Sequence, residues 1–368
     1  MAATKVIIDT DAGTDDALAL FMALEAHKRG CLEVLAITTV QGNTSLHNVN
    51  NNVLRILRTA NLLEIPVYSG ARQSLVHPWT FDEQPYHGKD GFGEADLPPQ
   101  PPAATLLQPR HAVWALVQLV VQHSGEVVMV ALGPLTNLAL ALRLDPAFTS
   151  HLAALYVMGG NTVTVGKGSI TGSVEFNFRC DADAAFVVVG ESSVPIHLTA
   201  WEICNKAGAF PLSVRDELGS TQTAAADLMN KIEAQAMQTL TVEGEDWVTC
   251  DQLAMAWVID DAKMKKLQSK HEKNGPNRAG FLEQGGKPLV TATRTAMLLW
   301  TPITCAPFFL QSLHLYILPP PPQGRSSRGQ MVIDHDDQLS RRPNMVLMEA
   351  VDVDIYVKYL SMAFGADI

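Results

Sequence analysis

Four carboxylates fall within eight consecutive positions, Asp9, Asp11, Asp15 and Asp16, in the run Asp9-Thr10-Asp11-Ala12-Gly13-Thr14-Asp15-Asp16-Ala17. They follow directly on Val6-Ile7-Ile8, an apolar run suited to a buried parallel strand. Part of this acidity has a helical explanation. Asp15 and Asp16 suit the first turn of a helix, where the macrodipole favours negative charge, and Gly13 permits a tight turn before it. Asp9 and Asp11 have no such account. Unpaired carboxylates next to a buried strand are costly, and like charges this close need a cation or partial protonation. A hard divalent ion with oxygen ligands is the simplest remedy.

The spacing excludes two familiar metal motifs. An EF-hand loop needs Asp or Asn where Gly13 stands and a glutamate at its twelfth position. A phosphatase of the haloacid dehalogenase type also opens Asp-x-Asp after its first strand, but Gly13-Thr14-Asp15-Asp16 is the wrong continuation. Further polar residues with chemical capacity lie downstream: Asn43 after Gln41-Gly42, His87 in a glycine-rich loop, Glu175 and Asn177 on either side of Phe176, and the pair Cys250-Asp251. If Glu175 and Asn177 sit on a strand, they share one face and form a clamp for hydroxyl groups. Thr136-Asn137 reads equally as a helix cap.

Such residues need a frame that brings them together. Apolar runs at Val6–Ile8, Val34–Val40, Val127–Leu132, Leu155–Met158 and Val194–Leu198 read as strands. Helical spacing at Asp15–Leu24, Asn48–Leu57, His111–Val121, Leu138–Leu142 and Ala182–Val188 alternates with them. This alternation predicts an α/β fold with a mostly parallel central sheet flanked by helices, and the length suits one large domain or two smaller ones. Ligands of such sheets bind beyond the carboxyl ends of the strands. Asp9–Asp16, Gln41–Asn43, Gly133 and Gly159 all follow strands, so they converge on one site.

Composition narrows the partners. The net charge of −11 repels phosphate backbones, which argues against nucleic acid but not against a neutral small molecule. With 47% apolar and 18% charged residues the chain can form a large core. Five cysteines without a CxxC pair suggest a reducing, cytoplasmic location and no disulfide framework. Met1-Ala2-Ala3-Thr4-Lys5 leads straight into the first strand, with no secretory pattern. Residues 296–325 are atypical: no Asp, Glu, Lys or Arg occurs from Ala296 to Gly324, and Pro319–Pro322 are consecutive. A membrane helix needs roughly 20 apolar residues. Pro302, Pro307, Gln311 and His314 interrupt this stretch, so no membrane span is expected.

The chain resembles the inosine-uridine preferring nucleoside hydrolase family. That family opens with Asp-x-Asp-Pro-Gly-x-Asp-Asp-Ala, and only Ala12 departs from it. Thr38-Thr39-Val40-Gln41-Gly42-Asn43, His87-Gly88-Lys89-Asp90-Gly91-Phe92-Gly93, Leu132–Ala139, Met158-Gly159-Gly160 and Glu175-Phe176-Asn177 resemble its further motifs, in its order. Asp251, opening Asp-Gln-Leu-Ala, stands where the family has its late metal aspartate. The resemblance covers roughly residues 5–294 and resumes at Ser327–Gln330.

The resemblance implies the nucleoside hydrolase fold, a single Rossmann-like domain over residues 1–368, and hydrolysis of the N-glycosidic bond of ribonucleosides. It implies a calcium ion held by Asp11, Asp16, Asp251 and the carbonyl of Leu132, with Asp11 as general base. Asp15 and Asn43 would hold the 2′-hydroxyl, Asp251 the 3′-hydroxyl, and Glu175 and Asn177 the 5′-hydroxyl, with Met158 beside the sugar. It also implies a homo-oligomer, dimer or tetramer.

Departures fall mainly at the leaving group. Cys250 stands where one branch has a proton-donating histidine, and another branch shares the cysteine. His87 is then a candidate donor, and Trp201 and Trp247 are candidates for stacking on a base. Ser169 replaces a usual asparagine, which implies weaker hold on the 3′-hydroxyl. The insertion at 296–325 has no counterpart in the family pattern. Two alternatives remain: a nucleoside-binding protein of the same fold without turnover, and a metal-dependent phosphohydrolase. The latter needs basic residues around the carboxylates, and the motif segments are poor in Lys and Arg.

Overall fold

The computed structural model describes residues 2–77, 86–99, 103–162, 174–274, 289–296 and 345–366. Ser169, Ser327–Gln330 and, apart from Ala296, the 296–325 segment lie outside the described residues.

The alternating apolar runs fold as the sequence predicts. Strands β1 (Thr4–Thr10), β2 (Leu32–Thr39), β3 (Val67–Ser69), β4 (Val127–Ala131), β5 (Leu152–Met158) and β6 (Ile196–Thr199) are parallel neighbours in one sheet. The short strands β7 (Ala209–Phe210) and β8 (Trp247–Val248) form a separate antiparallel pair. Two late strands, β9 (Val290–Ala296) and β10 (Met345–Val351), extend the main sheet beyond β6. Its order is β3-β2-β1-β4-β5-β6-β10-β9, eight strands of which only β9 runs antiparallel.

Helices cover both faces. They are α1 (Thr14–Lys28), α2 (Leu46–Thr59), α3 (Ala112–Gln122), α4 (Thr136–Leu144), α5 (Phe176–Cys180) and α6 (Ala182–Glu191) in the first half. The second half carries α7 (Trp201–Ala207), α8 (Leu212–Gly219), α9 (Ala224–Ile232), α10 (Ala234–Glu243), α11 (Asp251–Asn274) and α12 (Val353–Ala363). The period-2 geometry of the strands sorts their side chains between two cores. Val6, Ile8, Val128 and Val130 pack with α1, α2, α9, α11 and α12 on one face, while Ile7, Val127, Met129 and Leu155 pack with α3, α4 and α6 on the other. Helix α1 lies against β2, α2, α9, α11 and α12, and eleven of its fifteen residues are buried. That is why its sequence is apolar nearly all round rather than on one stripe.

The topology fixes where a site can form. From β1 the chain builds outward through β2 and β3, then returns to place β4 on the other side of β1. The order therefore reverses between β1 and β4. The carboxyl ends of these two strands deliver Asp11 and Leu132, and the Leu132 N–H donates to the Asp9 carbonyl at 2.8 Å. Such a reversal point is where doubly wound sheets hold ligands. No helix among the described residues is long and apolar enough to cross a membrane.

Candidate active site

Asp16 is the most constrained acid of the opening run. As the third residue of α1, its Oδ2 accepts the Gly13 N–H at 2.9 Å and the Asn43 side-chain N–H at 3.0 Å, and its Oδ1 accepts the Thr10 hydroxyl at 2.5 Å. Asp11, one residue past β1, accepts the Asn43 backbone N–H on Oδ2 at 2.7 Å, while its Oδ1 is buried without a hydrogen-bond partner among the described residues. Two glycines make this approach feasible. A Cβ on Gly42 would lie 2.0 Å from Asp11 Oδ2, and one on Gly133 would lie 2.7 Å from Asp11 Oδ1. Asn43 thus holds two carboxylates in place, a role distinct from the hydroxyl contact expected of it.

Asp251 comes from the start of α11, more than two hundred residues later, and joins the same cluster. Carboxylate oxygens of Asp15, Asp16 and Asp251 all lie within 4.8 Å of one another. Asp16 and Asp251, both named by the resemblance, thus meet together with Asp15. The Asp11 carboxylate interacts electrostatically with Asp16 and Asp15 and acts in turn on Asp251. Burial raises all of these acids: Asp15 and Asp16 to about 6, and Asp11 and Asp251 well above the ordinary carboxylate range; repulsion from neighbouring carboxylates adds to the effect for Asp11, Asp16 and Asp251. Four crowded acids that resist ionisation, an orphaned Asp11 oxygen and an all-oxygen donor set fit a hard divalent cation. The Leu132 carbonyl, the fourth expected ligand, accepts the Asn177 side-chain N–H at 2.6 Å.

Asp9 lies outside the cluster. Its Oδ1 accepts the Thr38 hydroxyl at 2.5 Å and the Asn137 side-chain N–H at 2.8 Å, and burial raises it to about 7. Asn137 also donates to the Thr39 carbonyl and accepts the Ala71 N–H, both at 2.9 Å. Asn137 is therefore a brace between β1, β2 and the loop after β3. It is not the helix cap that its position beside Thr136 permits.

Glu175 and Asn177 correct a second expectation. They do not lie on a strand. Glu175 is the N-cap of α5, accepting the N–H groups of Asn177 and Phe178 at 2.8 and 3.1 Å. It also accepts the Gly160 N–H at 2.7 Å. Burial raises its carboxyl to about 7 despite these donors. Asn177 reaches back to the carbonyls of Leu132 and Met158, so both residues still face the site, through a helix start.

At the leaving-group side, His87 is buried in its loop. Its Nδ1 accepts the Thr14 N–H at 3.1 Å, and its Nε2 lies 3.8 Å from Asp15 Oδ1. Burial lowers it to about 4, so the ring is neutral near pH 7. Cys250 is also buried. A hydrogen bond with Cys204, then burial, raise its thiol well above the usual value. Trp201 lines the site, whereas Trp247 belongs to the core and donates to Glu233 at 3.3 Å.

These residues open onto one cavity of about 710 Å³. Asp15, Asn43, His87, Leu132, Met158, Glu175, Asn177, Cys250 and Asp251 all line it. Further parts of its wall come from residues the sequence did not single out, among them Tyr86, Arg179, Asn205, Gln235, Thr239 and the segment 243–246. Periodicity could not find these, because helices α7 and α10 carry no motif and their approach to the sheet is a tertiary outcome.

Comparison with known proteins agrees with this geometry. The family model of the inosine-uridine preferring nucleoside hydrolases matches residues 6–358, and the chain belongs to that family. An inosine-uridine preferring nucleoside hydrolase of Leishmania major is 32% identical over 262 residues, 71% of this chain and 80% of that one. Uridine nucleosidase 1 of Arabidopsis thaliana is 36% identical over 184 residues, 50% of this chain and 52% of the relative. The solved structure of an inosine-guanosine nucleoside hydrolase superposes with a TM-score of 0.76, at 25% identity and covering 100% of both chains.

Proposed function

We propose that this chain hydrolyses the N-glycosidic bond of ribonucleosides, with calcium in the acidic cluster. The observation that carries this reading is the meeting of Asp251 with Asp15 and Asp16, beside the open oxygen of Asp11, on the wall of a cavity large enough for a nucleoside. Asp16, Asp251 and Asp11 or Asp15, together with the Leu132 carbonyl, would hold the ion. Calcium, when bound, supplies Lewis acidity toward water and a ribose diol.

The residues of the chain divide the remaining work. Asp11 accepts the proton of the attacking water on its unpartnered Oδ1, for which a raised proton affinity suits it. Asp15 and Asp251 face the ribose hydroxyls, and the surrounding carboxylates stabilise the oxocarbenium-like sugar. Glu175 and Asn177, fixed by the start of α5, bound the 5′ side. Asn43 keeps Asp11 and Asp16 in register. A site built to pair each hydroxyl rejects deoxyribose strongly. Four described cysteines are free, in keeping with a reducing, cytoplasmic setting. A homo-oligomer, dimer or tetramer, follows from the family resemblance.

The test is ribose release from inosine and uridine with calcium. Release abolished by chelation and by Asp11→Ala supports the reading. Tight nucleoside binding without ribose release would replace it with a binding protein. Among the described residues lining the cavity Arg179 is the sole Lys or Arg, which disfavours a phosphate ester as substrate.

A further inference from the structure

Helix α2 turns two asparagines, Asn48 and Asn52, toward the loop that carries His87. Asn52 is buried, and its Nδ2 donates to the Ala12 carbonyl at 3.0 Å and to the Asp90 carbonyl at 2.9 Å. Both partners can only accept, so the amino group of the amide is the atom between them. Ala12 lies in the acidic turn, between Asp11 and Gly13, and Asp90 lies in the loop after His87. One side chain therefore ties the segment of the carboxylates to the segment of the histidine. The fit is close: a Cβ on Gly91, whose φ is +82°, would lie 2.9 Å from Asn52 Nδ2 and 3.2 Å from the Ala12 carbonyl oxygen. Just before it, the Lys89 carbonyl accepts the Thr44 hydroxyl at 2.7 Å and the Asn48 side-chain N–H at 3.4 Å.

The loop passes this hold on to His87. It is closed on itself by the Gly93 N–H, which donates to the His87 carbonyl at 2.8 Å. The Phe92 and Glu94 N–H groups both donate to Asp90 Oδ1, at 2.8 and 2.9 Å. Fixing the Asp90 backbone thus fixes that of His87. The ring is then oriented by the Thr14 N–H, which donates to Nδ1. In the neutral ring Nδ1 carries no proton, so the proton sits on Nε2, 3.8 Å from Asp15 Oδ1 on the cavity wall. The acids themselves do not depend on Asn52. Asp16 accepts from Gly13, Thr10 and Asn43, and Asp11 accepts from Asn43. Asn52 is also not among the described residues that line the cavity.

We propose that Asn52 is a positioning residue for the hydrolysis: by bridging the Ala12 and Asp90 carbonyls it holds the Nε2–H of His87 at the wall where the base departs. This rests on the reading of the chain as a ribonucleoside hydrolase and adds to it a residue that acts only through the loop.

The experiment compares the full chain with Asn52→Leu, which keeps the size of the side chain and removes the donor. Ribose release from uridine with calcium gives kcat and KM, calorimetry gives calcium affinity, and hydrogen–deuterium exchange reads the backbone of 87–94. kcat is expected to fall about 10- to 100-fold, the cost of displacing a reacting group by roughly an ångström. KM and calcium affinity should change by less than about threefold, as for an interaction that counts only in the transition state. Exchange should quicken at 87–94. The Asn52→Leu/His87→Ala double variant should be no slower than His87→Ala alone, because the two residues act as one unit. Losses that multiply in the double variant overturn the inference. So does calcium affinity that falls in step with kcat, or exchange at 87–94 that does not change. If Asn52→Leu does not fold, Thr44→Val, which frees only the Lys89 carbonyl, is read in its place, with the same expectations and a smaller loss of kcat. A parent that turns over beside a variant with unchanged kcat overturns the inference and leaves the hydrolase reading standing. A parent that releases no ribose overturns both.

Discussion

The backbone N–H of Asn43 donates to Oδ2 of Asp11 at 2.7 Å, and this one contact divides the two oxygens of that carboxylate between different tasks. Oδ2 is tied to the loop after β2, and Oδ1 is left open. Asp11→Asn keeps the shape but cannot take a proton, so ribose release from uridine should fall about 10²- to 10⁴-fold, the usual worth of a general base. Nucleoside binding should change far less. Asn43→Ala keeps the backbone contact to Asp11 and deletes the side-chain contact to Asp16. Its main effect should be a loss of calcium affinity of about tenfold or more. Calorimetry of calcium binding beside a ribose-release assay separates the two. Equal losses of turnover with unchanged calcium affinity would remove Asn43 from the metal-holding role.

Acid–base behaviour follows from burial. Asp15 and Asp16 are raised to about 6 and Asp9 to about 7, from an ordinary 3.8. The folded state therefore retains protons that the unfolded chain has lost. The associated stability is fully present below the unfolded value and disappears as pH rises through 6 to 7. His87 acts in the opposite sense: lowered from 6.5 to about 4, it contributes above pH 6.5 and loses that contribution as pH falls toward 4. Three carboxylates outweigh one imidazole, so the chelated protein should melt at a higher temperature at pH 5 than at pH 8. Calcium, which takes the ionised carboxylates, should raise the melting temperature markedly at pH 8 and little at pH 5. Scanning fluorimetry in chelator and in calcium tests this. A calcium shift independent of pH would contradict joint burial of the acids.

The sheet was legible because its strands are short apolar runs separated by helix-length segments, and the acidic turn because buried charge has few explanations. The site was legible only in part. Glu175-Phe176-Asn177 looks alternating, yet the Glu175 carboxylate accepts the next two N–H groups and so starts a helix, a local capping competition that a three-residue pattern cannot show. The cluster of Asp15 with Asp16 and Asp251 depends on side-chain directions at two helix starts that sequence does not specify. Strand β10 and helices α7 to α10 carry no chemical motif, so the far wall of the cavity and its acidic rim emerge only from tertiary packing.

Ala12, the one departure in the opening motif, has a physical reason in this chain. Its φ is +30°, and its N–H donates to the Thr10 hydroxyl at 3.1 Å. Proline can do neither, since its ring fixes φ near roughly −65° and it has no N–H. Restoring the family proline by Ala12→Pro should therefore destabilise the protein by about 3 kcal/mol or more. Ala12→Gly relieves about 1 kcal/mol or more of left-handed strain. It also loses a buried methyl, worth about 0.8 kcal/mol, and adds unfolded-state freedom of about the same size. These terms nearly cancel, so the glycine variant should unfold within about 1 kcal/mol of the parent. Urea unfolding of the two variants decides the matter. A stabilised proline variant would show that the turn takes a different backbone path.

Cys250 gives the sharpest test of how the base leaves. It shares the cavity wall with His87, but the contact with Cys204 and burial raise its proton affinity, so the thiol is neutral and a poor acid at pH 7. Cys250→Ala should therefore lower kcat for uridine by less than about tenfold, because no proton transfer of the usual 10²- to 10⁴-fold worth is removed. Cys250→His should not simply create a better enzyme. The position is 7% exposed, and adding a ring there overpacks the wall against Cys204, at a cost of about 1 to 3 kcal/mol. Comparing kcat for the two variants with their unfolding midpoints separates chemistry from packing. A hundredfold loss in the alanine variant at unchanged stability would make the thiol the proton donor after all.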